Sequence, residues 1–221
     1  MTPLDHDHSD KPLSKAGVKR EATKAALIDA FEALVAEDGI SAVGVNAVAK
    51  RAGVGKPLIY KYFGNFDGLV TAWATQSKIW GSDEDVFSAL TRNPDADPMS
   101  VMRDAFVQSA SELRDKPVAL QIMAQALLGG DELTPGLETA KQKSGGHHDT
   151  LYEDGGVFAD QNTSALLLVM YAASRYLALR SLSQSNFNGI QLNTDDGWSS
   201  VMAMMTTVFD NAMRGADTKT E

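Results

Sequence analysis

Apolar residues along this chain recur every three or four positions, and no stretch of any length alternates apolar with polar as a half-buried strand would. Leu27, Phe31, Leu34 and Val35 form the stripe of a first helix, expected over about 18–37 and ended by Gly39. Val45, Val48 and Ala49 share one face of a short second helix. Ala52 closes that helix, Gly53 supplies a left-handed stop, and Val54 turns inward. A third helix opens at Lys56, with Pro57 in the first turn where its missing N–H has no partner to lose. Its Ile59 and Phe63 face the core, while Lys56, Leu58, Lys61 and Tyr62 project elsewhere. Gly64 and Asn65 make a turn, Asn65 being the N-cap of a fourth helix over about 66–80.

Helical spacing continues over 83–91, 99–114, 117–128 and 134–149, broken at Asn93-Pro94, Pro98, Pro117 and Gly129-Gly130. Two stronger helices, about 160–184 and 195–214, flank a polar loop from Asn186 to Thr194. Thr194 caps the last helix, and Asp195 and Asp196 in its first turn favour its dipole. No internal repeat appears. The pattern predicts an all-α protein: a disordered tail over 1–16, a helix–turn–helix domain over 17–65, and a larger helical domain over 66–216.

Two short helices joined by such a turn place the second in a DNA major groove. The run Val48, Ala49, Ala52, Gly53, Val54, Leu58, Ile59, Tyr60, Lys61, Tyr62, Phe63 and Leu69 resembles the DNA-binding signature of the tetracycline-repressor (TetR) family. The resemblance implies a three-helix N-terminal DNA-binding domain coupled to an all-helical domain that dimerises and binds a small effector. It also implies a repressor more than an activator. The chain departs from the usual pattern at Gly44 and Gly55, where Ser or Thr is common, and at Phe66, where a Lys often contacts phosphate. These changes remove side-chain phosphate contacts and leave backbone N–H donors. DNA contacts are accordingly expected from Lys19, Gly44, Val45, Asn46, Gly55, Lys56, Pro57, Leu58, Tyr60, Lys61 and Tyr62. Leu58 or Pro57 offers apolar contact to a thymine methyl, and Tyr62 reaches backbone or base. Lys19, Arg20 and Lys24 cluster near the start of the first helix, either to meet phosphates or as a solvated basic face.

The net charge of −9 opposes a polyanion partner until its distribution is considered. From Lys11 to Phe66 nine Lys/Arg meet five Asp/Glu, a balance of +4. From Asp67 to Glu221 eleven Lys/Arg meet twenty-one Asp/Glu, and the first ten residues add three more acids. The basic excess is confined to the helix–turn–helix segment, as a local phosphate footprint requires. With 221 residues the chain can bury a substantial core, and its lack of cysteine excludes disulfides. The longest uninterrupted apolar run, Ala165 to Ala173, is nine residues and too short to span a bilayer. The acidic, polar N-terminus is unlike a signal peptide, so no membrane partner and a cytoplasmic location are expected.

The last two helices are the expected homodimer surface. Ala172, Ala173 and Ser174 permit close backbone approach, and Trp198, Met202, Met205, Phe209 and Met213 form an apolar ridge. Four helices, two from each subunit, are what the resemblance implies; packing of the ridge within one subunit is the alternative. A dimer would hold two recognition helices about 34–36 Å apart on a palindromic operator. Trp73, Met102, Phe106, Met123, Leu127, Met170 and Tyr171 are expected around an effector site, although methionine and aromatic residues also simply fill cores. Arg175 interrupts the apolar run from Leu166 to Leu179 and, if buried, needs an anionic partner: an acidic side chain, a residue across the dimer, or an effector carboxylate.

Enzyme readings find no support: the chain has no nucleophile elbow, P-loop, dinucleotide-binding glycines or zinc-protease helix. His147, His148 and Asp149 follow two glycines and fit a polar turn better than a metal site, since adjacent histidines do not share a helix face. His6 and His8 sit in the expected tail. No cofactor and no metal are implied. The reading is a dimeric, effector-responsive regulator that binds double-stranded operator DNA and is released by a small molecule. The alternative is a ligand-binding helical dimer without operator binding.

Overall fold

A computed structural model of the chain describes residues 14–80, 83–128, 133–153, 155–183 and 186–217. The expected tail, with His6 and His8, lies almost wholly outside them, as do Gly129 and Gly130. The side chains of Leu127, His148, Asp149 and Met213 are likewise outside. The chain divides into two compact units, one ending at Gly64 and one beginning at Asn65.

The first unit holds three helices. Helix α1 (Lys15–Asp38) begins before the expected Val18, because the Ser14 side chain accepts from the Gly17 N–H at 3.2 Å and caps it. Gly39, at φ 80°, ends it, and a single 3₁₀ turn (Ile40–Ala42) leads toward α2 (Val45–Arg51) and α3 (Pro57–Phe63). Leu27, Ile28, Phe31, Leu34 and Val35 of α1 are buried, as are Val48, Ala49 and Ile59. The stripe read from the sequence is therefore the core of this unit.

In the second unit the Asn65 side chain caps α4 (Phe66–Gln76) by accepting from the Gly68 N–H at 2.8 Å. Helix α4 stops short of the expected residue 80, where Lys78 takes φ 46°. Next come α5 (Asp83–Arg92), α6 (Pro98–Arg114) and α7 (Pro117–Leu128). The expected helix over 134–149 is two helices, α8 (Thr134–Ser144) and α9 (His148–Tyr152), because Gly145 and Gly146 interrupt it. Helices α10 (Gln161–Ser183) and α11 (Asp195–Asp217) close the unit. Asp160 caps α10, its Oδ2 accepting from both the N–H and the hydroxyl of Thr163 at 2.8 Å. These bonds hold its carboxyl below the usual range.

Between α10 and α11, the loop expected from the sequence contains a small hairpin that pairs Asn186 with Gln191 and Phe187 with Ile190. Asn188 and Gly189 turn it with φ 51° and 87°, the double positive φ that an Asn-Gly pair favours in tight hairpins. Thr194 caps α11 as expected, accepting from the Gly197 N–H at 3.1 Å. Helix α6 is the hub of this unit, packing against α5, α7, α10 and α11, while α4 lies along α8. Helix α10 is apolar and long enough, by length and composition, to cross a bilayer, with mean hydropathy 1.3. It instead packs on α6, α7 and α11, and the count of uninterrupted apolar residues did not reveal this property.

Candidate nucleic-acid interface and ligand cavity

The turn between α2 and α3 is built as the sequence requires. Gly53 sits at φ 66°, a conformation strained for any side chain, and the Val54 N–H donates back to Ala49 O at 3.0 Å. The buried Ile59 anchors α3, which leaves Lys56, Pro57, Tyr60 and Lys61 exposed and Leu58 and Tyr62 half-buried. Gly44 and Gly55 bring no side chain to the N-terminal ends of α2 and α3, and Asn46 is exposed while Val45 is half-buried. Lys19 is exposed near the start of α1, and Arg20 from the same turn lies over the Tyr62 ring at 5.9 Å. Lys61 lies over that ring as well, at 5.8 Å. The start of α1 and the exposed side of α3 thus form one basic, aromatic surface.

Arg51 and Lys24 are less available. Arg51 donates twice to the Glu37 carboxylate, at 2.6 and 2.5 Å, joining α2 to α1. That pairing lowers the Glu37 pKa and raises that of Arg51. Lys24 pairs with Glu21 at 3.0 Å.

The second unit contains a cavity of about 910 Å³ lined by α5, α6, α9 and α10 together with Lys78 and Trp80. Of the residues expected at an effector site, Met102, Phe106, Tyr171 and Arg175 line it. Trp73 and Met170 do not; both are buried elsewhere in the core. Met123, half-buried on α7, is also outside the lining. These three are corrected to packing residues, because the apolar face of a helix is consumed first by its neighbours. The sequence reading missed Trp80, Asp83 and Tyr152. An aromatic residue stranded in a polar stretch was the available signal for Trp80 and Tyr152. Burial, then the Asp83 carboxylate beside it, pushes the Tyr152 phenol above its usual range. Its hydroxyl also meets Met102 Sδ at 4.0 Å.

Arg175 is 8% exposed, and its guanidinium lies over the Tyr171 ring. The acidic side-chain partner that led the sequence reading is not found among the described residues. The Nε and Nη2 atoms are buried without a hydrogen-bond partner, and Nη1 lies 3.5 Å from Ser174 Oγ. Burial lowers the guanidinium pKa to about 10, so it remains charged at neutral pH.

The expected interface ridge faces the other way. Trp198, Met202, Met205 and Phe209 are buried inside the subunit, and the Trp198 indole donates to Ser111 Oγ of α6 at 3.2 Å. Arg114 of α6 lies over the same indole, while bonding Asp195 at 3.0 Å. The ridge is thus the inner face of α11, since α6 claims its largest side chains. Ala172 is exposed and Ala173 half-buried. The outward apolar residues are Leu168, Val169, Tyr176 and Leu182 on α10, the first three 69%, 64% and 52% exposed, and Met204 and Val208 on α11.

A glycine-stopped helix–turn–helix with an exposed basic second helix, followed by a mostly helical unit with a cavity, is the arrangement of a DNA-binding transcription regulator. Residues 27–72 match the profile of the bacterial regulatory proteins, tetR family. Its fold is shared with native NalD of Pseudomonas aeruginosa, the secondary repressor of the MexAB-OprM multidrug efflux pump, at TM-score 0.60 and 17% identity, covering 88% of this chain and 96% of that one. A TetR-family transcription regulator from Marinobacter aquaeolei VT8 aligns at TM-score 0.50 and 18% identity, covering 88% and 97%. No curated protein matches the sequence.

Proposed function

We propose that the protein is an effector-responsive repressor that binds a palindromic operator as a homodimer and leaves it when a small molecule occupies the cavity. The observation that carries this reading is the exposed α3 surface, with Lys56, Tyr60 and Lys61 outward over a buried Ile59 and Arg20 beside Tyr62. Lys19, Lys56 and Lys61 contact phosphate, while Pro57, Leu58 and Tyr62 approach base edges. Backbone N–H groups near Gly44 and Gly55, with Val45 and Asn46, complete the footprint. The second copy sits on the outward stripe of α10 and α11, where Ala165, Leu168, Val169, Ala172 and Tyr176 recur at helical spacing and leave apolar surface uncovered. That NalD is a repressor supports the sign of regulation, and a cytoplasmic location follows from the DNA partner.

The mechanism is a two-state linkage: effector favours a dimer whose recognition helices no longer match successive major grooves, and it can do so only through unequal affinity for the two states. Selection of duplex DNA from a random pool tests the reading and should return two symmetric half-sites. On that DNA, Lys56→Ala and Lys61→Ala should each flatten the salt dependence by about one unit of log K per log salt. Unchanged slopes in both variants would remove these lysines from the interface. A failure to select any duplex would favour a ligand-binding dimer without operator function.

A further inference from the structure

Arg175 combines three features that are rarely left together. Its guanidinium is buried, it lines the cavity, and two of its nitrogens make no hydrogen bond among the described residues. Those two, Nε and Nη2, donate in the same direction from one edge of the planar group, spaced to meet both oxygens of a carboxylate. The opposite edge is near Ser174 Oγ, and the Tyr171 ring covers one face. A buried cation with two unmade hydrogen bonds is costly, and a bound anion on that edge would satisfy both.

The acidic residues lining the cavity are already engaged. Asp83 is bonded to Tyr152, Asp85 lies 3.7 Å from Lys78, Asp104 pairs with Arg103 at 2.8 Å, and Glu112 accepts from Gln108 at 2.9 Å. They leave Arg175 uncompensated, yet their charge opposes an anion of more than one charge. Met102 and Phe106 give the cavity apolar wall, and a volume of about 910 Å³ suits a drug-sized molecule.

We propose that the cavity takes an organic monocarboxylate with an apolar body, its carboxylate held by Arg175 Nε and Nη2. This deepens the effector-binding reading above and rests on it. A phosphate dianion would set a second charge beside the lining carboxylates of Asp83, Asp85, Asp104 and Glu112, and a neutral ligand would leave the guanidinium edge unpaired.

The test uses the full chain with octanoate and 3-phenylpropionate, each beside its primary amide, and octylammonium as the cationic control. Binding is read by calorimetry and by the fluorescence of Trp80, which lines the cavity. Each acid should bind about tenfold or more tightly than its amide, as expected for a charge-assisted pair. In Arg175→Met that preference should vanish while amide affinity holds; Arg175→Lys, with a point charge in place of a fork, should retain part of it. Helix content of both variants, by circular dichroism, confirms that they fold. The proposal is overturned by equal affinity for acid and amide, by no binding of either acid, by a preference for octylammonium, or by acid preference surviving in Arg175→Met. Operator release is measured separately on the same proteins. An acid that binds through Arg175 without releasing DNA would refute the effector role and leave the anion site standing. Release by the amides as strongly as by the acids would keep the effector role and remove the anion site.

Discussion

At neutral pH Arg175 carries a full charge inside the helical unit, because burial lowers its pKa only to about 10 from the usual arginine range. A cation with a depressed folded pKa destabilises the fold at every pH below that value, and the penalty is relieved only as pH rises through about 10 toward the usual arginine range. Arg175→Met should therefore stabilise the ligand-free protein at pH 7 by about 1–3 kcal/mol. Thermal unfolding should show the gain as a rise of roughly 2–4 °C per kcal/mol. An unchanged or lower midpoint would mean that the stack on Tyr171 compensates the buried charge. The sequence exposed this residue, since a lone arginine in an apolar run must be explained. It did not supply the partner, because which groups meet it depends on Tyr171 one turn away and on helices far along the chain.

At the scale of elements, α4 and α8 approach each other backbone to backbone at Gly136. A Cβ on Gly136 would lie 2.7 Å from both Asp67 O and Val70 Cβ, and the Thr71 hydroxyl donates to Gly136 O at 2.9 Å. Helix α4 follows the recognition helix after only Gly64 and Asn65, so any displacement carried along the chain passes through it. Gly136→Val should force the two helices apart, with a loss of about 1–3 kcal/mol by denaturant unfolding. Operator affinity without effector should stay within about tenfold while the effector-induced drop shrinks, a coupling change on the order of 1–3 kcal/mol. An effector response equal to wild type would take α4–α8 out of the switch. Trp73 is a poorer probe of that coupling, since it is buried and its truncation would open a core cavity. The caps at Asn65 and Thr194 and the stop at Gly53 were legible because each is set by a few adjacent residues. The closeness of α4 and α8 was not, because a glycine inside a helix does not announce which backbone it lets approach.

For the whole molecule, the outward stripe on α10 and α11 makes dimerisation testable without disturbing the core. Val169 is 64% exposed in the subunit, so Val169→Asp should leave the monomer folded. Placed in an apolar two-fold seam, the same charge should weaken association by about a hundredfold or more, measured by sedimentation. A variant that remains dimeric at wild-type concentrations would move the seam elsewhere. Helical periodicity located the apolar faces of α10 and α11 but could not rank them. The richer face of α11, with Trp198 and Phe209, went to the intramolecular core, and the poorer face with Met204 and Val208 was left outside.

Leu168 belongs to two surfaces at once: it lines the cavity, and at 69% exposure it stands in the outward stripe of α10. With a second copy seated on that stripe, one side chain is shared between the wall around a ligand and the seam between subunits. Filling the cavity and joining the subunits then become linked equilibria, and mass action ties each to the other. The midpoint of a dose–response curve would shift with the amount of protein present, even at fixed operator concentration. A cell that makes more of this protein would thereby reset the ligand level at which it responds.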